Sequence, residues 1–328
     1  MALEQSFLYR ISGRTAFPTC STSFPSTRFS SSCTAVPALM ASFRQHCTVP
    51  AWAPILSRSS MPSVSTGAAS SEVCNAMDES DTLTLAAIRD SLIRQEDSII
   101  FSLIERAQYK LNKPTYDADR FSIPGFQGSL IEYILKETES LHAKVRRYQS
   151  PDEHPFYEDL LPIPLLPPLE YPKVLHECAV KININPDIWK LYFDELLPRF
   201  STEGDDGNYG STAVCDVICL QALSKRIHYG KFVAEAKFRE SPGLFERAIK
   251  AQDEEALMQI ITYDAVEKKV QRRVEKKAKT YGQEVDSDGP DLSAHFKIDP
   301  LQVAELYGKW VMPLTKKVQV QYLLRRLD

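Results

Sequence analysis

Apolar residues Leu85, Ile88, Leu92, Ile99 and Leu103 recur at three-, four- and seven-residue steps, the spacing of one face of an amphipathic helix. That pattern predicts a helix from Thr82 or Thr84, either of which can cap it, with no proline or glycine before Pro114. A second helix is expected over about Ser129–Gln149, stopped by Pro151. Seven prolines between Pro151 and Pro172 exclude regular helix there and predict an extended connector. Helix resumes after Pro186, through Ile188–Phe200. No proline lies between Pro198 and Pro242. Asp205–Gly210 (DDGNYG) reads as a loop, with Ser211 or Thr212 capping a long helix that runs to about Glu240. Shorter helices are expected at Leu244–Ala251 and Glu254–Ile261, then a charged one at Ala265–Tyr281. The last helix spans about Leu301–Arg326, with a kink at Pro313. Runs of period two are scarce and glycine hairpin turns absent. The predicted class is all-α, a single helical-bundle domain around the long central helix, with Gly282–Ser293 a surface loop.

The first seventy residues are a different material. They hold five arginines, no lysine and one acid, Glu4, among abundant Ser and Thr. Such a leader has the character of an organellar transit peptide, and its Ser/Thr excess favours a plastid. Residues 1–70 are therefore expected to be a disordered plastid transit peptide ahead of a helical domain at 80–328. Taking the leader's +4 from the chain's −4 leaves −8 for residues 71–328. That balance argues against a nucleic-acid partner or a membrane surface, each of which would need a basic face. No run of eighteen apolar residues suggests a membrane span. The cysteines outside the leader are Cys74, Cys178, Cys215 and Cys219. They show no zinc-type clustering with His, so neither a metal nor a disulfide is expected. Cys215 and Cys219, four apart, read as small core residues.

Arg226 and Lys237 are eleven residues apart in the long helix. Eleven steps of about 100° return the second side chain to within about 20° of the first, about 16 Å further along the axis. The stretch between them, IHYGKFVAEA, is largely apolar, and Gly230 leaves room for close approach. Two cations on a buried-looking face need anions nearby. Structural carboxylates such as Glu235 or Glu267 could supply them, and so could an anionic ligand. Thr315 and Gln319 form a second polar pair one turn apart, among core-like Leu314, Val318 and Tyr322. Glu267 stands near a helix start, where the dipole favours a carboxylate.

Four strings, read together, resemble the eukaryotic all-helical chorismate mutases: Ile88–Phe101 (IRDSLIRQEDSIIF), Val145–Glu153 (VRRYQSPDE), Leu223–Phe238 (LSKRIHYGKFVAEAKF) and Val318–Asp328 (VQVQYLLRRLD). With the leader, the chain looks like the allosteric plastid type of plants. The resemblance implies isomerisation of chorismate to prephenate with no cofactor, in a homodimer. It implies catalytic cations at Arg89, Arg226 and Lys237, a carboxylate for the ring hydroxyl at Glu267 and a hydroxyl near a substrate carboxylate at Thr315. Gln319 matches the residue that touches the ether oxygen. It also implies an effector site for tyrosine, phenylalanine and tryptophan at the dimer interface, matched by Arg146, Arg147, Asn208, Tyr209, Gly210 and Ser211.

The chain departs from the fungal pattern in four places. Gln319 stands where fungal members carry Glu, and an amide donates a hydrogen bond without first taking up a proton. Tyr263 stands where they carry Asn, while Val214 and Gly207 replace Thr and Asn near the effector residues. The competing expectation is a catalytically inactive helical regulator of an aromatic-pathway enzyme. Retention of the whole set Arg89, Arg226, Lys237, Glu267, Thr315 and Gln319 speaks against such decay.

Overall fold

The computed structural model describes residues 84–169, 171, 173–283 and 296–328. The expected transit peptide at 1–70, Thr82, Cys74 and nearly all of the 282–293 loop lie outside these. The described residues form eleven α-helices: α1 (Leu85–Ala107), α2 (Leu130–Lys144), α3 (Asn185–Leu191), α4 (Leu197–Phe200), α5 (Tyr209–His228), α6 (Gly230–Glu240), α7 (Pro242–Lys250), α8 (Glu254–Ile261), α9 (Asp264–Gly282), α10 (Pro300–Leu306) and α11 (Met312–Leu324). Among them there is no strand, only isolated bridges.

Local chemistry sets the helix ends. The Thr84 hydroxyl accepts the Ala87 N–H at 3.1 Å and caps α1. At the head of α2, Glu132 accepts from both the backbone N–H and the hydroxyl of Ser129, at 2.7 Å each, a reciprocal cap of the S-x-x-E kind. The second helix stops five residues earlier than its pattern suggests. Arg146 turns into the left-handed region (φ 70°), and a short 3-10 turn follows at Arg147–Gln149.

The long helix starts at Tyr209, with Asn208 at its N-cap and no side-chain cap, which corrects the expectation for Ser211 or Thr212. Thr212 is fully buried, and its hydroxyl instead accepts Asn112 Nδ2 at 2.8 Å. α5 and α6 are nearly one rod. Tyr229 between them stays right-handed (φ −60°, ψ −12°) and donates to Lys225 O. α1 and α2 pack against α5, and α11 packs along α6. The crossing is tight at Gly230, where a Cβ would lie 2.7 Å from the Thr315 carbonyl oxygen.

Pro198 and Pro313 share a local feature that the sequence did not show. Each is preceded by a widened π turn, at Tyr192–Leu196 and Tyr307–Val311. The residue just before each proline closes an i→i+5 bond: Leu197 N–H to Tyr192 O and Met312 N–H to Tyr307 O. A proline ring collides with the carbonyl four residues back, and the wider turn moves that carbonyl aside.

The proline-rich connector runs irregularly over the bundle, with one 3-10 turn at Glu158–Leu160. Buried Lys231 anchors it, donating to His154 Nε2 at 2.6 Å and to the carbonyl oxygens of Ala179 and Ile182. Cys219 is buried and Cys215 half-buried, both as free thiols.

Candidate active site

Arg226, on α5, is 4% exposed and has no carboxylate within ion-pair distance among the described residues. Its Nη1 donates to Thr315 Oγ1 at 3.3 Å, while its buried Nε has no partner. The Tyr307 ring lies 6.0 Å away, beneath the guanidinium. Burial lowers the Arg226 pKa, with Tyr307 and Glu96 opposing that shift. Lys237, three turns further on, donates to Ile261 O at 3.1 Å, and the Tyr263 ring centre is 5.0 Å from its Nζ. Burial brings its pKa down to about 8; Glu267 opposes the shift and Lys316 adds to it.

The structural carboxylates that could have neutralised this pair are engaged elsewhere. Glu235, fully buried, accepts from Arg326, Arg239 and the Tyr322 hydroxyl. Glu267 pairs with Lys316 at 2.8 Å. Arg226 and Lys237 instead open, together with Arg89 of α1, into one cavity of about 480 Å³. Its wall also carries Glu96, Tyr263 and Arg273, on an apolar floor that includes Leu92 and Val233.

The remaining expected residues are not on that wall. Thr315 and Gln319 are buried on α11. The Thr315 hydroxyl accepts from Arg226 and donates to Val311 O at 2.6 Å. Gln319 Nε2 makes only a long bond to Thr315 O, 3.4 Å, and its Oε1 is buried without a partner. Glu267 is tied by its ion pair to Lys316, close enough to Lys237 to oppose its deprotonation.

Three charged neighbours escaped the sequence reading. Glu96, with no exposed surface, accepts both guanidinium arms of Arg273 at 2.6 and 2.8 Å. It lies seven residues after Arg89, two helical turns on, so helical spacing could have found it. Arg273 and Lys316 reach their partners only through helix packing.

The expected effector residues are not brought together within the chain. Arg147 donates to Gln221 Oε1 at 2.9 Å and pairs with Glu153. Gln221 is thirteen residues beyond Asn208 on α5, about 20 Å along the axis. Arg146, Arg147 and Lys225 line a second cavity of about 660 Å³; Asn208, Tyr209, Gly210 and Ser211 do not. No group of three or more His, Cys, Asp or Glu among the described residues could hold a metal ion, and no described helix is long and apolar enough to cross a membrane.

A family model for chorismate mutase type II matches residues 208–320. Chorismate mutase 1, chloroplastic, of Petunia hybrida is 65% identical over 256 residues, covering 77% of this chain and 79% of that protein. The crystal structure of AtCM1 with phenylalanine bound in an allosteric site is 63% identical with a TM-score of 0.71, covering 76% of this chain and 99% of that one. AtCM1 has also been solved with tyrosine in that site. Aro7p chorismate mutase of Candida albicans, in complex with L-Trp, is 43% identical with a TM-score of 0.72, covering 77% and 96%. With identity this high over three quarters of its length, the chain belongs to the chorismate mutases.

Proposed function

We propose that the cavity shared by Arg89, Arg226 and Lys237 is where chorismate binds and rearranges. The enzyme is an isomerase of the plastid that converts chorismate to prephenate. Its substrate is a dianion, and its reaction breaks one C–O bond as one C–C bond forms within a single molecule. No nucleophile or proton carrier is required. The protein's tasks are to hold the side chain folded over the ring and to stabilise negative charge growing on the ether oxygen. An acceleration of about a millionfold requires about 8 kcal/mol. Selection of the folded conformer contributes several kcal/mol, and preorganised donors at the ether oxygen supply the rest.

In this reading Arg89 and Arg226 grip the two carboxylates, since a guanidinium matches a carboxylate with two parallel bonds. Thr315, already bonded to Arg226, assists one of them. Gln319 turns its amide from Thr315 O into the cavity to meet Lys237 at the ether oxygen, and Glu267 accepts from the ring hydroxyl once Lys316 releases it. The observation that carries the reading is the buried Arg226, lacking any ion-pair partner among the described residues and facing the same cavity as Lys237. Uncompensated cations around a partly dehydrated space favour a dianion.

The test follows chorismate absorbance with residues 72–328. Lys237→Met should keep the helical circular dichroism and lose at least a hundredfold in kcat. Wild-type turnover in that variant would remove Lys237 from the mechanism.

Residues 80–328 form the mutase domain in this reading, and residues 1–70 a transit peptide. Regulation belongs to it as well: tyrosine, phenylalanine and tryptophan are the effectors. The two expected halves of the effector site, about 20 Å apart along α5, are joined when a second copy brings its Asn208–Ser211 to the Arg146–Arg147 of the first. A homodimer thus completes two such sites.

A further inference from the structure

Tyr263 holds the N-cap of α9 with extended backbone (φ −131°, ψ 92°) and makes no side-chain bond to the helix start. Only its carbonyl serves the helix, accepting from Val266 at 2.9 Å and Glu267 at 3.1 Å. N-cap positions favour Ser, Thr, Asp and Asn, whose side-chain oxygens satisfy a free N–H. Helix chemistry therefore does not select tyrosine here. Core packing does not select it either, because the residue is 52% exposed. What the ring does contact is Lys237, with Nζ 5.0 Å from its centre, and it forms part of the cavity wall.

The ammonium needs such a neighbour. Around it stand Glu240 on α6; Glu267, Lys269 and Arg273 on α9; Lys316 on α11; Arg226 on α5; and Arg89 and Glu96 on α1, the last paired with Arg273. Cations predominate, and Glu267 is bound to Lys316. The direct contacts of the Lys237 ammonium are one carbonyl and one aromatic face. A carboxylate in place of the ring would pair with Lys237 and repel an anionic substrate. An aromatic face attracts the cation without carrying a net charge.

We propose that Tyr263 is a positioning residue of the active site, its ring face holding the Lys237 ammonium charged and directed into the cavity until substrate arrives. This rests on the reading of Lys237 given above. Leucine at this position keeps an apolar cover but has no π face, whereas phenylalanine keeps the face and drops only the hydroxyl.

The experiment combines kinetics with NMR titration of lysine-labelled enzyme, the Lys237 signal being assigned by its loss in Lys237→Met. In Tyr263→Leu the Lys237 midpoint should fall by about half a pH unit. The alkaline limb of kcat/KM should move with it, kcat should drop about three- to tenfold, and KM should stay within about twofold. Tyr263→Phe should restore both midpoint and kcat. A wild-type midpoint in Tyr263→Leu overturns the proposal, as does a Tyr263→Phe variant that behaves like leucine. If the midpoint moves but Lys237→Met turns over normally, the ring–ammonium contact stands and the catalytic part of the proposal falls with the reading beneath it.

Discussion

Gln319 carries an amide at a position where an acid could donate only when protonated. In the proposed reading the alkaline limit therefore falls to Lys237, whose burial lowers its pKa to about 8. A base with a lowered pKa loses its charge as pH rises through that lowered value. We expect kcat/KM, which reports the free enzyme, to hold through neutrality and fall with a midpoint near that value. The midpoint in kcat should lie higher, because a bound dianion favours the ammonium. A fall in kcat/KM centred below about pH 7 would contradict this assignment. Gln319→Glu introduces an ionised acceptor beside the developing negative charge, so it should cost at least about tenfold more at pH 8 than at pH 5. Arg226→Ala should lose both substrate binding and turnover, since its bonds persist through the reaction. Assay of both constants against pH for the three enzymes checks these expectations together.

Among the elements, the α5–α6 rod does most to build the site. It places Arg226 and Lys237 on one side, and its single glycine at the crossing lets α11 approach until the Thr315 hydroxyl reaches Arg226. In Gly230→Ala the new Cβ meets a backbone oxygen at 2.7 Å, which cannot swing away like a side-chain end. We expect about 1–3 kcal/mol of destabilisation in urea titration and a kcat loss beyond what that unfolding explains, because Thr315 moves off Arg226. Equal turnover per folded molecule would show that the crossing matters for stability alone. The spacing of eleven and the small residue at 230 were legible in the sequence, since both obey helical periodicity. The π turn before Pro313 was not: a proline demands relief of one clash but does not say whether the chain bends or widens.

At the scale of the whole molecule, α2 with its C-cap Val145, α1 and α5 leave large apolar side chains in the open: Leu141 at 61%, Val145 at 52%, Phe101 at 51%, Val214 at 48% and Ile218 at 51%. Val214 and Ile218 are one turn apart on α5, between Asn208–Ser211 at its start and Gln221, the contact of Arg147. A second copy seated on this stretch of α5 would cover Val214 and Ile218 and bridge the two effector halves. Ile218→Asp should convert a dimer to monomer in sedimentation. It should also flatten the response to tyrosine, phenylalanine and tryptophan, while chorismate still turns over. A monomeric wild type that responds to all three would rule out an effector site shared between copies.

Most helices were legible in the sequence, because periodicity and caps are local: Thr84 caps α1 as its spacing suggests, whereas the early end of α2 and the uncapped start of α5 were not legible. The sequence also placed Arg226 and Lys237 on one face, because one helix carries both. Tertiary packing decided the rest. Only the folded chain shows Glu267 paired with Lys316, Glu96 with Arg273, and Glu235 drawn away by Tyr322 and Arg326, because each of these pairs joins segments far apart in sequence. It likewise shows Tyr263 laid over an ammonium and Arg147 bonded to Gln221, about 20 Å along α5 from Asn208–Ser211. Local spacing fixes which way a side chain points on its own helix; which charge it meets depends on the register of another helix, and that is set only when the core closes.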